Sequence, residues 1–125
     1  MPKVSKATTD NVVEFPIAED RSSDLDGYTV NFVTIKETHS MAALLASLPG
    51  GRCSCPHWGF VTAGRIVVHY ADREDDVIEA GDAYYLSPGH VPEIEAGTQF
   101  VMFSPADQLA ATDAAILAAL QPAEG

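Results

Sequence analysis

The stretch from Gly59 to Ser104 consists of short apolar runs separated by glycine, proline and acidic residues. The runs read FVTAGRIVVHYA, VIEA, AYYLS and QFVMFS, and the segments between them read DREDD, GD, PGHVP and AGT. Short strands punctuated by turn residues, with no helices alternating between them, favour antiparallel sheets over a βαβ arrangement. The sequence therefore predicts an all-β fold, either a sandwich or a barrel.

The two ends of the chain differ from this middle part. Residues 1–26 are polar and rich in Asp and Ser, which predicts a loose arm with at most a short strand from Val12 to Phe15. Near the other end, Ser104 followed by Pro105 is typical of a helix N-terminus with the serine as N-cap, and an Ala- and Leu-rich run follows. The expected units are an N-terminal arm over 1–26, a β-barrel over 27–104 and a C-terminal amphipathic helix over 105–125, packed on the barrel.

The net charge of the chain argues against two classes of partner, nucleic acids and anionic membranes. Seven basic against eighteen acidic residues give a formal net charge of −11, which repels nucleic acid and anionic membrane surfaces. No apolar run is long enough for a membrane span, and the N-terminal MPKVSKATTDN lacks the apolar core of a signal peptide. We therefore expect a cytoplasmic protein with neither nucleic acid nor membrane as partner, and we expect Cys53 and Cys55 to be free thiols.

Residues 52–59, RCSCPHWG, contain both cysteines, one histidine and the single tryptophan of the chain. If the segment is extended, Cys53, Cys55 and His57 lie on one face, because side chains alternate along a strand. Thiolate and imidazole together suit zinc first, with iron or copper as alternatives. His90, in the turn SPGHVP, is the candidate for a fourth ligand. The prediction is a divalent metal site at Cys53, Cys55, His57 and His90.

Two other interpretations of this cluster stay open. Unliganded cysteine is among the most buried residue types and packs as a small hydrophobic side chain, in which case no metal is bound. A thiol within reach of an imidazole can also act as a nucleophile whose pKa the imidazole lowers. The sequence shows neither an orienting third residue nor an oxyanion-hole pattern, so no catalytic residue is assigned.

The segment CPHWGFVTAGRIVVHYADREDDVIEAGDAYYLSPGHVPEIEAGT resembles the core of a cupin, a small antiparallel β-barrel or jelly roll, and the resemblance covers roughly residues 28–104. The first cupin motif is His-x-His, three or four residues, Glu, six residues and Gly. Counting back from Gly64 places His57 at the Glu position and Cys53 at the second His position. The first His position falls on Gly51, which cannot ligate a metal.

The second cupin motif begins with Gly and continues to Pro-x-Gly, with a His shortly afterwards. It corresponds here to Gly81 and to residues 87–89, while the histidine position falls on Pro92, two residues beyond His90. All ligand positions of the family have therefore changed. The resemblance implies either a metal site rebuilt from cysteine and histidine or a barrel that keeps its pocket without a metal.

The resemblance also implies a function. A small metal-binding cupin would bind or act on a small organic molecule at the barrel mouth, with Trp58, Tyr85 and Met102 as pocket walls. The alternative is a non-catalytic module that binds a ligand or senses a metal, and whether the protein is an enzyme stays open. Cupins commonly pair through sheet edges, which predicts a homodimer.

Overall fold

The structure, a computed structural model, describes residues 3–120. Within these residues it has ten strands and two α-helices. The strands are β1 (Asn11–Glu14), β2 (Ala18–Leu25), β3 (Tyr28–Ile35), β4 (His39–Ser40), β5 (His57–Ala63), β6 (Arg65–His69), β7 (Asp76–Glu79), β8 (Ala83–Leu86), β9 (Val91–Ile94) and β10 (Gln99–Pro105). The helices are α1 (Ala42–Leu45) and α2 (Ala106–Leu120), and single 3₁₀ turns lie at Lys6–Thr8 and Pro49–Gly51.

The strands form two antiparallel sheets. The larger has the order β1-β2-β3-β10-β5-β8, and the smaller has the order β4-β9-β6-β7. Neighbours that are distant in sequence, such as β3 and β10, lie side by side, as in a jelly roll. The predicted all-β jelly roll with a C-terminal helix is therefore confirmed, although the two sheets do not join into one closed barrel.

Strand alternation places the core between the sheets. In β5, His57 and Val61 are buried, whereas Trp58 and Phe60, which lie between them in the sequence, are exposed. The larger sheet thus has an inner face, to which His57 belongs, and an outer face, to which Trp58 belongs. The buried residues of the main core are Ile35, Val61, Ile66, Val68, Tyr70, Ile78, Leu86 and Ile94. A second apolar cluster beside the two helices contains Leu45, Cys53, Cys55, Val91 and Leu109.

The N-terminal region is more ordered than the sequence predicted. Where a loose arm was expected, β1 and β2 pair with each other, and β2 pairs with β3 along its whole length. The turn between β2 and β3 has positive φ at both Asp26 (49°) and Gly27 (83°), as a tight Asp-Gly hairpin turn requires. The polar sequence of β2 is compatible with a strand because backbone pairing, not side-chain burial, holds it in the sheet. The division of the chain at residue 26 stays a prediction.

The C-terminal helix was predicted to begin at Pro105, with Ser104 as N-cap, and it begins one residue later. Ser104 lies in β10 and is fully buried, and helix α2 begins at Ala106. The helix packs through one face, on which Leu109 is buried and Ile116 is half-buried against the second cluster. Residues 121–125 of the predicted helix lie outside the described residues. No helix in the described part of the chain is long and apolar enough to span a membrane.

The carboxyl group of Asp20 is half-buried on the inner face of β2. The Asp20 Oδ1 atom accepts a 2.9 Å hydrogen bond from Asn31 Nδ2, and Asp113 of α2 is a like-charged neighbour. Burial raises the pKa of Asp20 above its ordinary value, and the hydrogen bond from Asn31 only partly offsets this. The folded state therefore holds the proton more tightly than the unfolded chain does. This carboxyl favours folding most below its ordinary pKa of about 4, and less as the pH rises through the folded-state pKa.

Asp20→Asn is expected to raise the free energy of unfolding at pH 7 by about 1 kcal/mol, and by less at pH 4. The amide removes the half-buried charge and can donate to Asn31 Oδ1, a buried acceptor with no hydrogen-bond partner among the described residues. Urea unfolding at both pH values measures the effect. Asp72→Asn, which removes the same charge from an exposed position, is the control. Lower stability of Asp20→Asn than of wild type at pH 7 would contradict the prediction.

Candidate metal centre

Two segments of the chain meet at one end of the inner face. Cys53 forms an isolated antiparallel bridge with His90, in which Cys53 N donates to the carbonyl oxygen of His90 at 3.2 Å. The amide of Gly89 donates back to the carbonyl oxygen of Cys53 at 2.7 Å. His57, the first residue of β5, follows four residues after Cys53. The bridge therefore fixes the backbone of one histidine against the segment that carries the thiol and the other histidine.

The side chains of Cys53, His57 and His90 converge. Cys53 Sγ lies 3.7 Å from His57 Nε2, and the two imidazole rings are 4.9 Å apart at an angle of 61°. The thiol sulfur and one ring nitrogen of each histidine all lie within 4.8 Å of one another. All three residues are buried, with exposed fractions of 5%, 6% and 1%. Within residues 3–120 this is the one such group of three potential metal ligands.

The second nitrogen of each imidazole is held by a serine. His90 Nδ1 lies 2.7 Å from the backbone oxygen of Ser87, and because a carbonyl only accepts, this nitrogen carries the proton and donates. His57 Nδ1 forms a 2.6 Å hydrogen bond with the hydroxyl of Ser104. Metal-ligating histidines characteristically donate their other N–H to such oxygen atoms, which orients the ring. The arrangement leaves Nε2 of His90 with its lone pair free, and Nε2 of His57 faces the thiol.

Burial also determines the protonation of the three groups. It lowers the pKa of His57 to about 3, with His90 contributing further, and it lowers the pKa of His90 as well. Both imidazoles are therefore neutral at pH 7. Burial raises the pKa of the Cys53 thiol above its ordinary value, which is opposite to what a nucleophilic cysteine needs. A neutral thiol beside two neutral imidazoles is a site that a cation can enter with release of the thiol proton.

Cys55 does not join this group. The chain bends at Cys55 and continues through Pro56, so the alternation expected between Cys53 and His57 is interrupted. Cys55 Sγ instead lies 3.7 Å from the carbonyl oxygen of Pro56, and the residue packs in the apolar cluster with Leu45. Burial raises the pKa of its thiol to about 12. The structure therefore brings together three of the four residues predicted as ligands.

The three predicted pocket residues lie on two faces of the larger sheet. Trp58 and Tyr85 are cross-strand partners on the outer face, with ring centroids 4.9 Å apart and exposed fractions of 42% and 48%. Met102 pairs with Gly59 in register, which places it on the inner face with His57. Of the three, Met102 shares a face with the convergent side chains.

Ser104 is a site residue that the sequence analysis missed. In β10 it lies two positions after Met102, so the alternation of QFVMFS places both residues on the inner face. The same serine precedes a proline and an Ala-rich run, and the helix-cap interpretation took precedence over the strand interpretation. The run QFVMFS already ends at Ser104, and its alternation alone places this hydroxyl on the same face as Met102.

Comparison with known proteins identifies the fold. No family model and no curated protein matches the sequence. An oxalate decarboxylase from Bacillus subtilis is similar in structure with a TM-score of 0.60 and 14% identity, over 82% of this chain and 28% of that one. The FeII form of HppE has a TM-score of 0.57 and 7% identity, over 83% and 60%. A cupin-2 domain protein from Shewanella frigidimarina has a TM-score of 0.50 and 14% identity, over 69% and 78%. The chain therefore has the cupin fold, as its sequence motifs predicted.

Proposed function

We propose that this protein binds one divalent cation through Cys53, His57 and His90, and that the cation takes part in holding a small organic molecule. The observation that carries the proposal is the convergence of three buried ligand atoms within 4.8 Å of one another. Structural neighbours with the same fold include a form of HppE whose name specifies FeII, which supports a metal role for the fold.

The donor set fits zinc best. One sulfur and two imidazole nitrogens match its preference, while iron and copper are the alternatives for a site with this composition. Three protein ligands leave a coordination position open, whereas structural zinc sites are closed by four. Such a cation, when bound, would supply Lewis acidity toward an oxygen of the small molecule. Ser87 and Ser104 would keep both imidazoles oriented by accepting their other N–H groups.

The test is a titration of chelator-treated protein with Co²⁺ and Zn²⁺. Because Co²⁺ bound to a thiolate absorbs strongly in the near ultraviolet, we expect a sulfur-to-cobalt band that saturates near one equivalent and disappears on adding Zn²⁺. At pH 7 in weak buffer, about one proton should be released per metal bound, since Cys53 begins as a thiol. Absence of saturable binding below ~10 μM metal would contradict the proposal.

Two further expectations from the sequence stay proposals. A cytoplasmic location agrees with the pair of free thiols at Cys53 and Cys55. Pairing of two copies is supported by β1, an edge strand of the larger sheet whose four residues are all exposed, with Val12 at 50% and Val13 at 47%. Apolar side chains on an unpaired edge favour strand-to-strand association.

A further inference from the structure

The outer face of the larger sheet has a group of aromatic side chains that the proposed metal centre does not use. They come from four adjacent strands, and each is between 40% and 48% exposed. The residues are Tyr28, Trp58, Phe60, Tyr85 and Phe103. Large apolar side chains clustered on a surface commonly mark a binding site, whereas single ones do not.

Two of these rings form a corner. Tyr28 and Trp58 have centroids 6.3 Å apart and planes at 72° to each other, so the depression that both rings line has two nearly perpendicular aromatic walls. Tyr85 extends the indole wall on its other side, with its ring tilted by 34°. The corner belongs to a depression of about 390 Å³, which lies within the size range of small-molecule sites. Its lining consists of Leu25, Asp26, Tyr28, Val30, Trp58 and Phe103.

Of residues 3–120, Asp26 is the one charged residue that lines this depression. It is exposed, and it forms no ion pair with another of the described residues. The hairpin turn holds it in the left-handed conformation at φ 49°, which fixes the position of its backbone at the rim. Among the described residues, no lysine or arginine lines the depression, so no basic side chain of this lining repels a cation.

These features select a class of ligand. Aromatic faces carry negative potential and attract a cation within about 6 Å of the ring centre. A quaternary ammonium also has methyl groups that pack on the rings, and its charge is less hydrated than that of a primary amine. The carboxylate of Asp26 and the net charge of −11 add attraction. We propose that the corner formed by Tyr28, Trp58 and Asp26 binds a small quaternary ammonium cation.

Fluorescence gives a direct test with choline as the probe. Trp58 is the only tryptophan in the chain, so a change in intrinsic emission reports on the corner itself. We expect saturable quenching by choline with a Kd of ~1 mM or tighter. The uncharged isostere 3,3-dimethylbutan-1-ol has the same shape without the charge, and it should bind at least about ten-fold more weakly.

Matched variants separate charge from packing. Asp26→Asn should weaken choline binding about three- to ten-fold, and asparagine tolerates the left-handed turn. Asp72→Asn removes the same charge from the distant hairpin tip and should leave the affinity unchanged. Tyr28→Leu keeps apolar bulk but removes one ring face, and a loss of about ten-fold is expected. Far-ultraviolet circular dichroism establishes that each variant is folded.

Three results would overturn the proposal. One is equal binding of choline and its uncharged isostere, which would show an apolar site without cation recognition. Another is an equal effect of Asp26→Asn and Asp72→Asn. The third is no change in emission up to ~10 mM choline, whether light scattering gives the mass of one copy or of two. Because Trp58 and His57 lie on opposite faces of the sheet, these outcomes are independent of the metal titration.

Discussion

Replacing Cys53 with serine is expected to lower the affinity for Zn²⁺ by about 100-fold or more, whereas Cys55→Ser should change it less than about three-fold. Cys53 Sγ belongs to the group of converging ligand atoms, and a serine hydroxyl is a far weaker ligand than a thiolate. Cys55 Sγ lies against the Pro56 carbonyl oxygen and is not a member of that group. Competition with a chelating dye measures both affinities.

Cys55→Ser is a closely matched control for Cys53→Ser, because both cysteines are buried and both substitutions exchange sulfur for oxygen. A general loss of stability would weaken metal binding in both variants, so thermal unfolding of the metal-free proteins is measured alongside. Cys55→Ala repeats the control without adding a hydroxyl to the apolar cluster. The Cys53→Ser variant loaded with Co²⁺ should also lack the sulfur-to-cobalt absorption band. Equal losses of affinity in Cys53→Ser and Cys55→Ser would contradict the assignment of Cys53 as the sulfur ligand.

Gly64→Ala is expected to destabilise the fold by about 3 kcal/mol or more, a large part of the stability of a domain of this size. Gly64 has φ +84°, which an alanine adopts only with strain. A Cβ atom there would lie 2.3 Å from Oγ1 and 2.5 Å from Cα of Thr98. Thr98 cannot move aside easily, since it is fully buried and its hydroxyl bonds to both the amide and the carbonyl of Arg65.

Gly81→Ala is the matched control for this substitution. Gly81 has φ +96°, but a Cβ atom there would meet nothing within 4 Å. It should therefore show the backbone strain alone, about 1 kcal/mol. Urea unfolding of both variants at pH 7 gives the two free energies, and their difference reports the steric contact with Thr98. Equal destabilisation by the two substitutions would show that the close approach to Thr98 has no energetic consequence.

The sequence by itself determined the elements whose patterns are local. The short apolar runs and turn residues after Gly59 predicted strands that correspond to β5, β6, β7, β8 and β10, and the Ala-rich C-terminal run predicted α2. Strand β9 (Val91–Ile94) was missed, because PGHVP predicted a turn at its beginning. Residue chemistry alone also identified Cys53, His57 and His90 as ligand candidates. These predictions succeed because a strand or helix leaves its own period in the few residues that form it.

Only the tertiary structure decided which of the candidate metal ligands lie close together. The bend at Cys55 leaves its thiol outside the group of converging ligand atoms, although both cysteines belong to the same apolar cluster and are chemically identical. Pairing of β5 with β10 places Ser104 against His57, 47 residues away. Backbone pairing also made a strand of the polar segment β2, which has little strand propensity of its own. Alternation tells which side chains of one segment share a face, but which segment lies opposite is a long-range outcome of packing.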